Sequence, residues 1–251
     1  MLNIVVPMAG YGSRFAKAGY ELPKPLIPVH GNAMIRLVIN NLRPRQQHRF
    51  IFLCLQEHIE RFQLDFLLKK WAPGCEIVPV AQVTEGAACT VLLAKGLIDN
   101  DDSLMIANSD QWVDIEVNNY LQTMDALGVD GLIMTMWADD PKWSFVRLDV
   151  EGRVTEVVEK QVISHEATVG IYNFRRGADF VAAAEAMIKK GLRVNGEFYV
   201  APVYNELIAE GQLVGYSNIG KVGSGMYGLG IPSDLEMFLN SPVSLKATSS
   251  I

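Results

Sequence analysis

Short apolar runs alternate with stretches of helical spacing through the first half of the chain, and this rhythm restricts the fold more than any other feature. Residues 2–7, 50–55, 76–80, 103–107 and 132–136 read as strands. The first of them, Leu-Asn-Ile-Val-Val-Pro, is almost continuously apolar, as expected of a strand buried on both faces. Helical patterns lie between them. Met34, Ile35, Val38, Ile39 and Leu42 keep one face after Asn32, a candidate N-cap, and before Pro44. Residues 59–71 read as a second helix closed by Pro73-Gly74, and residues 85–98 as a third. Val117, Tyr120, Leu121, Met124 and Leu127 form a fourth stripe that ends at Gly128. Strands that alternate with helices at this spacing predict βαβ units and a mostly parallel sheet covered on both faces.

After residue 140 the rhythm changes. Residues 145–150, 152–158 and 168–174 read as strands without helices between them, and Asp149-Val-Glu-Gly152 supplies a hairpin turn. Two helices follow, one through Phe180, Val181, Ala184, Met187 and Ile188, the other through Val200, Val203, Tyr204, Leu207 and Ile208. There is no internal repeat, low-complexity stretch or linker. The expectation is a single α/β domain over residues 1–240 and a polar, frayed tail over 241–251. With 251 residues, 49% of them hydrophobic, a sizeable core is available.

Charge and cysteine content narrow the function. A formal net charge of −6 argues against a general polyanion binder such as a nucleic-acid protein, while leaving room for a local basic site. The cysteines, Cys54, Cys75 and Cys89, form no C-x-x-C pair, and the four histidines join no metal-type cluster. Buried thiols in a reducing compartment are expected. The sequence opens directly on Leu-Asn-Ile-Val-Val-Pro-Met-Ala-Gly, without a basic leader or a cleavage site, and it holds no apolar run long enough to span a bilayer. The expectation is a cytoplasmic protein with no membrane or nucleic-acid partner.

Ligands of open parallel sheets bind outside the carboxyl ends of the strands, so the loops after strands one, three and four should line one crevice. The first loop reads Pro7-Met-Ala9-Gly10-Tyr-Gly12-Ser13-Arg14-Phe15. Gly10 and Gly12 permit positive φ and close approach of backbone amides to an anion, and Arg14 adds a cation. A dinucleotide fingerprint would need glycine where Phe15 stands and an acid closing the next strand, where only Glu57 is near; the Walker Gly-Lys-Ser/Thr is missing. On its own the Gly-x-Gly is a weak signal, and a tight turn is the other reading. The following Leu22-Pro23-Lys24-Pro25-Leu26-Ile27-Pro28 changes the balance, because prolines stiffen the loop and hold Lys24 in a defined place, as a lysine that meets a phosphate requires.

Gly10-x-Gly12-Ser13-Arg14 followed by Pro23-Lys24-Pro25-Leu26 resembles the signature of the sugar-phosphate nucleotidyltransferases, the pyrophosphorylases that make nucleotide-activated sugars. The stretch from Pro7 to Gly31 is similar to a branch associated with bacterial capsule and lipopolysaccharide synthesis. The resemblance covers most of the chain and is specific mainly in residues 4–31. It implies a Rossmann-like, GT-A-like nucleotidyltransferase fold. It also implies transfer of a nucleoside monophosphate from a nucleoside triphosphate to a phosphorylated acceptor, a sugar 1-phosphate by expectation, with release of pyrophosphate and use of Mg²⁺. Homo-oligomers are common in the family.

The resemblance also distributes roles. The β- and γ-phosphates would fall to Ala9, Gly10, Gly12, Ser13 and Arg14, and Lys24 would neutralise charge as the α-phosphorus is attacked. Gln82 would read the base, with Gly86 letting it lie against backbone. Asp110, at the carboxyl end of the fourth strand, would hold the metal, a reading open beside a helix-cap role for Asp110 or Asp114. Glu159 and Lys160, with Gly170 and Glu197, would hold the acceptor. One departure stands out: many members carry a second metal aspartate in a Trp-x-Asp-x-Gly-Thr segment, whereas this chain has Tyr227-Gly228-Leu229-Gly230-Ile231-Pro232, with Asp234 following at the start of a last helix. Either one carboxylate suffices, or Asp114 assists, or the activity is altered. Two rival readings are a glycosyltransferase on the same sheet, for which the usual Asp-x-Asp is missing, and a non-catalytic sugar-phosphate sensor. His30 and His165 read as structural.

Overall fold

The computed structural model describes residues 1–249 and 251. In chain order it begins with strand β1 (Leu2–Pro7), helix α1 (Ser13–Lys17), a small antiparallel ribbon of β2 (Pro28–Val29) and β3 (Asn32–Ala33), and α2 (Met34–Leu42). Next come β4 (His48–Leu55), α3 (Gln56–Phe62), α4 (Leu64–Trp71), β5 (Glu76–Val80), α5 (Ala87–Leu92), α6 (Lys95–Ile98), β6 (Ser103–Ala107), β7 (Gln111–Val113), α7 (Val117–Leu127) and β8 (Gly131–Trp137). The rest comprises β9 (Ser144–Leu148), β10 (Val154–Glu159), β11 (Glu166–Phe174), α8 (Gly177–Lys189), α9 (Tyr204–Ala209), β12 (Val214–Val222), β13 (Gly225–Gly228), α10 (Pro232–Leu239) and α11 (Pro242–Thr248).

One mixed sheet runs in the order β5-β4-β1-β6-β11-β8-β12-β13-β7, with β9 and β10 branching from β11. The β5-β4-β1-β6 half is parallel throughout, as the early alternation predicts. β11 enters antiparallel between β6 and β8, so the second half is mixed. Side chains divide by the two-residue strand period. Ile4 and Val6, Phe50 and Phe52, and Met105 and Ala107 face one core with α2, α4 and α7; Val5, Ile51, Leu53, Leu104 and Ile106 face a second with α5, α6, α8 and α9. A third core gathers Phe15, Ile27, Val29, Met34 and Leu37 from the early loops against Trp112, Leu229, Leu235, Phe238 and Ala247.

Several elements depart from the reading of the sequence. Asn32 does not cap α2: Ala33 occupies that position, the first helical amide bonds back to Ile27 at 2.9 Å, and Asn32 accepts from Arg36 instead. The helix expected over 59–71 breaks at Gln63, whose φ of 51° reverses the backbone. The one expected over 85–98 starts only after Gly86 (φ 127°) and splits into α5 and α6. The segment from Ser241 is not a frayed tail. It forms α11, with Ser244 and Ala247 buried, His30 Nε2 2.8 Å from Ser244 Oγ, and Lys246 paired with Asp114 at 2.5 Å. Its polar composition concealed a helix whose small face packs on the third core. β7, β12 and β13 were not read as strands. No helix among the described residues is long and apolar enough to cross a membrane.

Candidate active site

The loop after β1 turns at Gly12, which adopts the left-handed conformation at φ 61°, ψ 33° and leads into α1. Only this glycine of the pair uses a positive φ; Gly10 is absent from that class and leaves open space where a side chain would stand. Ala9 is buried, whereas Gly10, Ser13 and Arg14 are exposed. Phe15, fully buried in the third core, anchors the turn from beneath.

Lys24 lies on a short 3₁₀ turn (Lys24–Leu26) set up by Pro23 and Pro25, and its backbone is pressed against the glycine loop. A Cβ on Gly12 would stand 3.1 Å from the Lys24 Cβ, so both its φ and this approach favour glycine. The Lys24 ammonium donates to Asp110 Oδ2 at 2.9 Å, and the two side chains are 24% and 25% exposed. Residues 86 positions apart thus meet at the mouth of the crevice. Asp110 follows β6 and is not a helix cap. Its carboxylate rests on Gly230, where a Cβ would come within 2.5 Å of Oδ2. Asp114 does not join it; that carboxylate turns away to Lys246.

Gly86 lies where the loop after β5 meets the segment before the 3₁₀ turn at Ala201–Val203. The Phe198 amide donates to the Glu85 carbonyl at 2.8 Å, the Ala88 amide donates to the Phe198 carbonyl at 3.0 Å, and Arg193 pairs with the Glu85 carboxylate at 2.8 Å. A Cβ on Gly86 would lie 2.4 Å from the Phe198 carbonyl oxygen. The loop expected to read the base and the loop carrying Glu197 are therefore stitched together. Gln82 is exposed on the same loop.

Lys160 follows β10 with φ 58°, an uncommon conformation for a lysine, and donates to the Tyr199 hydroxyl at 2.6 Å while lying 4.7 Å from the ring centroid. That bond is the main cause holding the Lys160 ammonium above its ordinary pKa. Burial raises the Tyr199 hydroxyl, Lys160 opposes the shift, and Glu197 adds to it. Glu159 is buried and accepts from Ser144 Oγ; burial pushes its carboxyl up, against the pull of that bond. Gly170 sits in a β11 irregularity with φ 81°, and a Cβ there would collide with the Asn108 amide at 2.0 Å. Gly170 is thus buried beside the loop after β6, and its missing side chain makes room for Asn108. Tyr199, Ser144 and Arg193 were not singled out from the sequence. Arg193 and Tyr199 lie close to Glu197 in the chain, which is their only local signal; Ser144 has none, and the partners of all three are distant in the chain.

Residues 4–213 match the model of the nucleotidyl transferase family. The chain belongs to that family. Among its relatives, the bifunctional protein GlmU of Pseudomonas fluorescens is 28% identical over 225 residues, which is 85% of this chain and 46% of that protein. GlmU of Methanococcus aeolicus is 22% identical over 78% of this chain and 50% of its own length. The chain therefore spans about half the length of the curated relatives it matches. Among solved structures, a nucleoside-diphosphate-sugar pyrophosphorylase from Vibrio cholerae superposes with a TM-score of 0.80 at 26% identity, covering 95% of this chain and 100% of that one. The inositol-1-phosphate CTP transferase of T. maritima shares the fold, with a TM-score of 0.73 at 14% identity over 98% and 94% of the two chains. In a nucleotidyl transferase family member, the glycine turn, Lys24 and Asp110 lie at the carboxyl ends of β1 and β6, where open α/β sheets bind ligands.

Proposed function

We propose that this chain transfers a nucleoside monophosphate from a nucleoside triphosphate to a phosphorylated small-molecule acceptor and releases pyrophosphate. A sugar 1-phosphate is the reference acceptor. The observation that carries the reading is the meeting of Lys24 with Asp110 at 2.9 Å beside the Gly12 turn. A cation for phosphate and a hard carboxylate stand together where a triphosphate would lie.

The acceptor phosphate is ionised at neutral pH, so no general base is demanded. One of its oxygens attacks the α-phosphorus, a new P–O bond forms, the bond to the bridging α–β oxygen breaks, and the electron pair leaves with pyrophosphate. The chain's task is positioning and charge neutralisation. Backbone amides of residues 9–13 and the Arg14 guanidinium would hold the β- and γ-phosphates. Lys24 would exchange Asp110 for the α-phosphate. Gln82 would read the base beside Gly86. Lys160, oriented by Tyr199, would hold the acceptor phosphate, with Glu159 and Glu197 near its remaining groups.

Asp110 suits Mg²⁺, which binds through one or two carboxylates and substrate phosphates and keeps several waters. Gly230, without a side chain, leaves room beside that carboxylate, whose Oδ2 the Lys24 ammonium occupies here and would yield. When bound, Mg²⁺ would supply neutralisation of phosphate charge. We extend the proposal to a cytoplasmic enzyme that supplies precursors of surface polysaccharides, on the strength of the sequence similarity around residues 7–31.

The test is pyrophosphate release across four nucleoside triphosphates and a panel of phosphorylated acceptors with Mg²⁺. Acceptor-dependent release that Lys24→Ala abolishes is expected. Consumption of a nucleotide-sugar without pyrophosphate, or a Lys24→Ala variant at near-normal rate, would overturn the reading.

A further inference from the structure

We infer that the acceptor is zwitterionic, a phosphate ester whose other end carries an ammonium group seated against Asp234. The inference rests on the proposed transfer to a phosphorylated acceptor and names that acceptor's class.

A cavity of about 230 Å³ lies between Trp143, which precedes β9, and the β13–α10 segment. Trp143, Met226, Tyr227, Met237 and Phe238 supply its largely apolar wall, and Asp234 is its carboxylate. The chain links this cavity to both halves of the site through neighbouring backbone. Gly228 on one wall is two residues from Gly230, against which Asp110 rests. Trp143 on the other accepts the Lys160 amide at 3.0 Å and neighbours Ser144, the donor to Glu159.

The wall chemistry selects the occupant. A polyhydroxylated ring moved from water into such a space needs a partner for each hydroxyl, and a wall rich in carbon offers few. A compact ammonium needs aromatic faces and one carboxylate. Asp234 enters none of the ion pairs or side-chain hydrogen bonds of the described residues, and its Oδ2 lies 3.3 Å from where a Cβ on Gly228 would stand. The missing side chain at Gly228 therefore leaves the carboxylate open. One ammonium already lies near the aromatic wall: that of Lys142 is 5.2 Å from the Trp143 ring centroid, held by Asp140 at 3.3 Å. Lys142 is 60% exposed at the rim, where its charge is matched by Asp140 and leaves Asp234 without a partner.

The full chain and its Asp234→Asn variant are titrated calorimetrically with glucosamine 1-phosphate, phosphocholine and glucose 1-phosphate. The first two separate an amino sugar from an alkylammonium ester as the source of the charge. Wild type is expected to bind at least one of them about tenfold more tightly than glucose 1-phosphate, and Asp234→Asn to erase that preference while nucleotide binding persists. Trp143→Leu keeps the carboxylate, removes the ring and is expected to lower the preference about threefold, which guards against a folding defect in the first variant. Equal affinity for all three probes, or a preference that survives Asp234→Asn, overturns the inference. Pyrophosphate release separates it from the underlying reading. Release with glucose 1-phosphate at a rate independent of Asp234 would remove the acceptor class and leave nucleotidyl transfer standing. Asp234-dependent binding without release from any acceptor would support the pocket and refute the transfer.

Discussion

The weight at the residue scale falls on Lys24, Gly86 and Glu159. Lys24 touches the glycine turn with its backbone and Asp110 with its ammonium. Lys24→Ala is expected to cut turnover at least about 10²-fold with a melting temperature close to wild type, because the group acts on charge developed in the transition state. Steady-state pyrophosphate release beside a thermal melt checks both. Gly86→Ala adds a Cβ 2.4 Å from the Phe198 carbonyl at a φ of 127°. It should cost about 1–3 kcal/mol in denaturant unfolding and raise KM for both substrates, since the two loops part together. Glu159 has a folded pKa raised by burial above its ordinary value of 4.5. The folded state then binds the extra proton, so Glu159's contribution to stability is greatest below that ordinary value and falls as pH rises through the folded pKa. Glu159→Gln removes the penalty. Its melting temperature relative to wild type should climb with pH above 4.5, and a difference flat in pH would refute the assignment. Lys24 was legible in the sequence because prolines mark a rigid loop locally. Tyr199, which orients Lys160, was not, because the contact spans 39 positions and no local pattern records it.

At the scale of elements, the period of the apolar residues identified most strands and helices and overlooked their interruptions. The helix read over 59–71 is two helices because Gln63 takes φ 51°, ψ 40° between them, exposed and without a glycine's freedom. Gln63→Gly should relieve that backbone and stabilise the protein by about 0.5–1 kcal/mol in a denaturant titration. A loss of stability would show that the side chain holds the break. β7 and β13 escaped the reading because three- and four-residue strands carry too little periodicity to register. They nevertheless position the site, since the chain leaving β13 at Gly228 continues to Gly230 beneath Asp110.

For the whole molecule, the third core matters most. It joins the glycine loop through Phe15, the lysine loop through Ile27 and the carboxyl-terminal helices through Leu235, Phe238 and Ala247. The last helix therefore braces a site whose main residues lie more than a hundred positions earlier. Removal of residues 241–251 should lower the melting temperature by about 5 °C and weaken nucleotide binding, measured by calorimetry on the shortened chain. Unchanged nucleotide affinity would show that the brace is dispensable to the loop.

The sequence by itself determined the βαβ half, the glycine turn and its proline-held lysine, because strand periodicity, backbone freedom at glycine and stiffness at proline are properties of neighbours in the chain. Tertiary structure alone decided that Lys24 meets Asp110 and that Gly86 abuts Phe198. It also decided that a polar carboxyl-terminal segment becomes a packed helix. Each of these is a contact between distant segments, set by how sheet, loops and third core close on one another, and such closure leaves no trace in local composition.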